Sequence, residues 1–241
     1  MVDRGLASSR RAAQAMIMAG LVSGDDRILD KPGVQLRDDI EMQVKAQSRY
    51  VSRAGDKLAS VAHDLEIDFS DQIVLDVGSS TGGFTDYALQ HGAARVYAVD
   101  VGTAQLAYKL RQDERVISLE QTDIRNAELP EMTDMAVIDV SFISLTKILE
   151  AVAVLVNDGG FIVAMAKPQF EAGKALADRY RGVIPQGEVR DAILGQLETW
   201  FDEHGFRVLG RADSAIAGAH GNVERFYTLK RNSTTSPSVM M

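Results

Sequence analysis

The stretch LDVGSSTGGFTD, Leu75 to Asp86, sets the end of an apolar run against glycines and hydroxyl residues. Its Gly78, Gly83 and Thr85 fall close to P-loop spacing, but Phe84 stands where the lysine belongs. A P-loop without its lysine lacks the charge that reaches the terminal phosphates of a nucleotide. The dinucleotide fingerprint G-x-G-x-x-G is absent too, since Gly78 and Gly82 are four apart. What remains is a strand that turns through Gly78, Gly82 and Gly83, residues that permit close backbone approach to a ligand.

Outward from this loop the chain alternates. The apolar runs QIVLDVG, ARVYAVDVG, RVISLEQTD, MAVIDVSF, GFIVAMAKP, FRVLGRADS and RFYTLKR read as strands. Helical patterns lie between most of them, over 81–90, 104–112, 145–156 and 188–203. Such alternation predicts an α/β fold, a mainly parallel, Rossmann-like sheet of seven strands with helices on both faces. The last two strands are separated only by AIAGAHGN and should pair antiparallel. A parallel sheet closed in this way is the usual architecture of S-adenosylmethionine-dependent methyltransferases.

In a doubly wound sheet, ligands bind beyond the carboxyl ends of the strands. Four successive strands are expected to end in acids there: Asp76, Asp100, Asp123 and Asp139. Asp100 is placed to accept from both hydroxyls of a ribose, and Asp123 from an adenine amino group. A ring of acids repels a triphosphate and favours a sulfonium cation carrying adenosine, so the expected cofactor is S-adenosyl-L-methionine. The bland alternative is that each acid caps a following helix. One cap is ordinary; four in register with a glycine loop are much less so.

Composition narrows the rest. The 241 residues include no cysteine, which excludes disulfides and thiolate chemistry. The four histidines are scattered without metal-ligand spacing, so no metal site is expected. No apolar run is long enough for a membrane span, and no signal peptide is visible, so a cytoplasmic protein is expected. The net charge of -8 argues against polyanion binding by the whole surface. Residues 1–50 nevertheless carry eight Lys+Arg against seven Asp+Glu. Their Arg4, Arg10 and Arg11 either line a nucleic-acid-binding helical face or are a solvated surface, and charge alone favours the second.

That N-terminal piece, 1–48, is expected to be a small α+β module, marginal on its own at its length. SSRRAAQAMIMAG predicts a helix capped by Ser8 or Ser9 and ended by Gly20, with Ala12, Ala15, Met16 and Ala19 on one face. Short hairpin-like strands follow. Residues 49–52 read as a linker, 53–231 as the large domain, and 232–241 as a disordered tail.

Two lysines stand in unusual places. Lys167 follows the six apolar residues FIVAMA at the end of a central strand, and Lys57 lies just inside the first helix of the large domain. An amine used as a base must lose its proton near neutral pH, and burial or a neighbouring cation favours that. Two lysines and two acids around one site could deprotonate a weakly acidic alcohol such as a ribose hydroxyl. For Lys57 alone a surface lysine is the simpler reading. Glu224, in GNVERF, is the remaining acid.

The series SRAGDKL, LDVGSSTGGFTD, YAVDVG, VIDVSFISL, KPQFE and GNVERF resembles the hemolysin-A-like (TlyA) family of ribosomal RNA methyltransferases, within the FtsJ-like 2'-O-methyltransferases. The resemblance runs from about Ser52 to Leu229. It implies methylation of a ribose 2'-hydroxyl in ribosomal RNA, with cytidine as target, and a catalytic tetrad of Lys57, Asp139, Lys167 and Glu224. Lys167 would then be the base on the 2'-hydroxyl, oriented and tuned by the other three. The implied cofactor contacts are Asp76, Gly78, Ser79, Ser80, Thr81, Gly82, Gly83, Phe84, Asp100, Val101, Asp123, Ile124 and Asp139. VDRGLASSRRAAQAMIMAGLV is similar to the RNA-binding module named after small-subunit ribosomal protein four. It implies RNA contacts by Arg4, Arg10 and Arg11, joined by Arg53. The module's usual opening segment is missing here, and VSGDDRILDKPG replaces its usual turn. The loop 171–187 also departs from the family pattern, and its Lys174, Arg179 and Arg181 either touch phosphates or are solvated.

Two other functions stand beside the enzyme: a noncatalytic RNA-binding or ribosome-assembly factor, and a membrane-active protein of the kind the family's historical name suggests. A pure binder has no need of paired lysines at strand ends, and a lytic protein fits poorly with α/β alternation. Ribosomal RNA or ribosomal subunits are the expected partners. The target nucleotide, the subunit and the oligomeric state are not legible in the sequence.

Overall fold

The computed structural model describes residues 1–18, 20–25, 27–37, 39–44, 49–218 and 221–232. The chain divides into two units, Met1–Arg49 and Tyr50–Met241. The expected tail beyond Asn232 and the acids Asp26 and Asp38 lie outside the described residues.

In the small unit, helix α1 (Arg10–Met18) begins where Ser9 Oγ accepts from the Ala12 amide at 3.1 Å. Gly20, at φ +67°, takes the left-handed turn that follows. The buried face centres on Ala13, with Ala12, Met16 and Ile17 half-buried, and Ala15 is exposed. The face is therefore rotated from the one the spacing suggested, and Ala19 falls outside the described residues. β1 (Val22–Gly24) pairs antiparallel with both β2 (Arg27–Ile28) and β3 (Met42–Val44). Val22 and Ile40 are buried here.

The large unit opens with α2 (Arg53–Ala62) and β4 (Ile73–Val77), the strand that enters the glycine loop. Then follow α3 (Gly83–Gln90), β5 (Arg95–Val99), α4 (Tyr108–Arg111), β6 (Val116–Leu119) and β7 (Thr133–Ile138). The second half comprises α5 (Leu149–Ala153), β8 (Val156–Ala166), α6 (Pro168–Glu171), α7 (Lys174–Arg179), α8 (Glu188–Glu203), β9 (Phe206–Asp213) and β10 (Arg225–Arg231). The seven strands run in the order β6-β5-β4-β7-β8-β10-β9. The first five are parallel and β10 is antiparallel to both neighbours. The expected seven-stranded Rossmann-like sheet with its antiparallel closure is the fold observed.

Alternating residues of the central strands feed two cores. Leu75, Val77, Ile138 and Ala164 pack on one face with α5 and α8, and Val74, Val137, Val163 and Phe226 on the other with α2 and α3. On α8, Ile193, Leu194, Leu197 and Phe201 form the apolar stripe at helical spacing.

Three helices are shorter than their sequence patterns. α3 starts at Gly83, not Thr81, because Gly82 at φ +93° cannot continue a helix. In 104–112 only Tyr108–Arg111 is helical; Asp100 Oδ1 accepts from the Gly102 amide at 2.7 Å and turns the chain into a loop first. The 145–156 pattern breaks at Ile148 into a short 3₁₀ turn, Leu145–Lys147, and α5, while Val156 already begins β8.

Candidate active site

β4 lies beside β7, and the connections leaving these two strands run in opposite directions, from β4 to β5 and from β7 to β8. This is the crevice where a doubly wound sheet binds ligands. Two adjoining clefts occupy it. One, of about 350 Å³, is lined by Gly78, Ser80, Asp100, Val101, Asp123, Ile124 and Asp139 of the expected set. The other, of about 490 Å³, is lined by Asp76, Ser79, Thr81 and Phe84 and shares Gly78, Ser80 and Asp139. Gly82 and Gly83 line neither. Residues that the sequence did not single out complete the walls: Gln105, Thr122, Val140, Ser141 and Phe142 in the first, and Ser52 and Ala54 in the second.

The glycines serve the protein's own packing. A Cβ on Gly78, at φ +81°, would stand 2.7 Å from the Asp139 carbonyl oxygen; one on Gly82 would stand 2.2 Å from Leu110 Cδ1. A Cβ on Gly83 would meet Ser52 Oγ at 2.3 Å. Close backbone approach is thus real, but it joins β4 to β7, α4 and α2.

The four acids behave differently from one another. Asp76 is fully buried within β4 and accepts from Thr85 Oγ1 at 2.6 Å. Burial pushes its carboxyl up to about 7, against the Thr85 hydrogen bond and with the help of Asp139 and Asp100 nearby. Its Oδ1 has no hydrogen-bond partner among the described residues. Asp100 spans the loops, accepting from the Ser80 amide at 2.8 Å and from that of Gly102. Asp123 lies four residues beyond the end of β6, not at it, and is indeed a cap: it accepts from the Arg125 amide of the 3₁₀ turn Ile124–Asn126. The Arg125 guanidinium holds its carboxyl down to about 2. Asp139 directly follows β7.

Strand ends bring Asp139, Lys167 and Glu224 together, and Lys57 reaches Glu224 from α2. Arg225 pairs with Ala166 across β10 and β8, which sets Glu224 beside Lys167. Lys167 Nζ lies 2.7 Å from Asp139 Oδ1, and Lys57 Nζ donates to Glu224 Oε1 at 2.8 Å. All four side chains are largely buried, the most exposed being Asp139 at 17%. Glu224 Oε2 has no hydrogen-bond partner among the described residues. Cations and carboxylates hidden in this way are costly unless paired, and here they pair two by two.

A family model described as FtsJ-like methyltransferase matches residues 50–231. The chain belongs to the FtsJ-like methyltransferase family. It is 38% identical over 236 residues to the 16S/23S rRNA (cytidine-2'-O)-methyltransferase TlyA of Mycobacterium tuberculosis, covering 95% of this chain and 87% of that one. It is 40% identical to Hemolysin A of Brachyspira hyodysenteriae, covering 92% and 94% of the two chains. A solved structure of a candidate hemolysin from Streptococcus thermophilus superposes with a TM-score of 0.76 at 43% identity, covering 93% of this chain and 84% of that one. The methyltransferase uses S-adenosylmethionine. The residues present fit that ligand: the unpartnered Asp76 Oδ1 offers an acceptor to an ammonium, and the first cleft joins apolar walls to Asp100 and Asp123.

The arginines expected to contact RNA are dispersed. Arg10 and Arg11 are exposed in the first turn of α1, but Arg4 precedes the helix and donates to the Ile40 carbonyl at 2.6 Å. The three do not form one helical face. Arg53 belongs to the large unit, where it lines the second cleft and donates to the Ala217 carbonyl at 2.6 Å. No described helix of the methyltransferase is long and apolar enough to cross a membrane.

Proposed function

We propose that the methyltransferase modifies cytidine 2'-hydroxyls of ribosomal RNA, acting in the cytoplasm on RNA or ribosomal subunits. The observation that carries this reading is the pair of ion pairs, Lys167–Asp139 and Lys57–Glu224, joined to the clefts through Asp139, which lines both. A ribose hydroxyl is a weak acid and needs a base beside it, whereas a protein that only bound RNA would have no use for buried lysines there. S-adenosylmethionine, when bound, supplies an electrophilic methyl group. Asp76, Asp100, Asp123 and the backbone of 78–81 would hold it, with Phe84, Val101 and Ile124 as apolar surface.

Lys167 takes the proton of the 2'-hydroxyl. Asp139 fixes its amine, and Glu224 fixes Lys57, which supplies the second positive charge. Residues 1–48 bring RNA contacts through Arg4, Arg10 and Arg11, 49–52 connect, and 53–231 carry the chemistry, with Arg53 at the substrate side of the cleft.

Lys167→Ala is expected to bind S-adenosylmethionine normally and to lose methyl transfer to rRNA by about 10²–10⁴-fold, the usual contribution of a general base. Isothermal titration with the cofactor and transfer from labelled donor measure the two. Full transfer by the variant would sink the mechanism.

A further inference from the structure

Lys167 has a second close partner that none of the family motifs singles out as functional. Its Nζ donates to Ser141 Oγ at 2.8 Å while lying 2.7 Å from Asp139 Oδ1. The Phe170 ring, 5.9 Å from Nζ to its centroid, closes a further side. We propose that Ser141 is a positioning residue for methyl transfer: with Asp139 it fixes the rotation of the Lys167 amine so that the lone pair faces the ribose hydroxyl. This rests on Lys167 being the base.

A neutral amine has two hydrogens and one lone pair. The hydrogen bond to Ser141 fixes one hydrogen, and the Asp139 carboxylate, 2.7 Å away but outside hydrogen-bond geometry, draws the other to its side, which leaves the lone pair one direction. With only one acceptor, the amine rotates about its Cε–Nζ bond and the lone pair sweeps away from the hydroxyl. Loss of orientation of this kind lowers the rate of the chemical step more than it lowers binding.

The backbone around Ser141 is held in place. The next residue, Phe142, is 90% exposed and has φ +64°, a left-handed conformation unfavourable for a bulky side chain. Strained backbone persists where the surroundings over-determine it. Glu171 supplies part of that constraint: it accepts from Ser144 Oγ at 2.5 Å and from the Leu145 amide at 3.0 Å. Glu171 ends α6, the helix that begins immediately after Lys167. The segment carrying Ser141 and the segment carrying the lysine are therefore tied together beyond the site.

The test uses the full chain, rRNA as acceptor and labelled donor, with Ser141→Ala, Ser141→Thr and Lys167→Ala side by side. Ser141→Ala should lower kcat about tenfold, the effect of one lost hydrogen bond. At saturating cofactor, its KM for RNA and melting temperature should stay at the parent values, and Ser141→Thr, which keeps the hydroxyl, should recover most of the rate. Parent kcat in Ser141→Ala beside an inactive Lys167→Ala overturns the assignment of Ser141 alone. So does a loss that tracks melting temperature or that disappears at saturating cofactor, or a Ser141→Thr no faster than Ser141→Ala. An active Lys167→Ala overturns the assignment together with the base it depends on.

Discussion

Asp76 shows how far a single side chain can depart from its ordinary chemistry. Its carboxyl is raised from 3.8 to about 7 by burial. Between those values the native chain holds a proton that the unfolded chain has released. The stability this group contributes is full below about 3.8 and is lost as pH rises to about 7. At about 1.4 kcal/mol per pKa unit, the change is on the order of 4 kcal/mol. Asp76→Asn cannot titrate yet keeps an acceptor for Thr85. Urea unfolding from pH 4 to 8 is expected to show a flatter profile in the variant than in the parent. Identical profiles would mean that Asp76 is ionised in the native chain. The sequence marked Asp76 as a strand-end acid but gave no sign of this, because the shift comes from neighbours distant in the chain. Ser141 was opaque for the same reason: a serine beside a motif aspartate acquires meaning only when a lysine 26 positions later folds against it.

At the level of elements, most of the fold was legible because apolar runs and glycine stops are local signals. Every strand of the large sheet was named from such runs. Helix limits were less legible where a side chain captured the backbone, as Asp100 does with the Gly102 amide. The Lys57–Glu224 and Lys167–Asp139 pairings were outside the reach of spacing: the sequence could group the four residues, with the family resemblance naming them a tetrad, but not say which acid meets which lysine. The glycine loop was read for a ligand, whereas its tightest contacts are with neighbouring elements. Gly78→Ala therefore tests an element junction. At φ +81° an alanine is strained, and its Cβ would press on the Asp139 backbone at 2.7 Å. We expect a loss of about 2 kcal/mol or more in urea unfolding and weaker cofactor binding, since Asp139 is displaced. A parent-like midpoint would show that β4 and β7 can part without cost.

For the whole molecule, charge is the informative quantity. The chain carries -8 overall, and residues 1–50 carry eight basic against seven acidic residues. RNA attraction must then come from local cations and not from the summed field. Arg10→Ala and Arg11→Ala should each lower the slope of log affinity against log salt by about one. Filter binding to rRNA over a salt series measures this, and unchanged slopes would remove α1 from the RNA surface. The order of the sheet carries a different consequence. β10 is the final strand in sequence among the described residues, yet it is inserted between β8 and β9, and β9 has no other strand neighbour. During synthesis, β9 must wait detached while β8 presents an open edge. Glu224, just ahead of β10, reaches Lys57 only when that insertion occurs. A growing chain thus lacks the Lys57–Glu224 pair until β10 has been made, and the pair forms in the same event that closes the sheet.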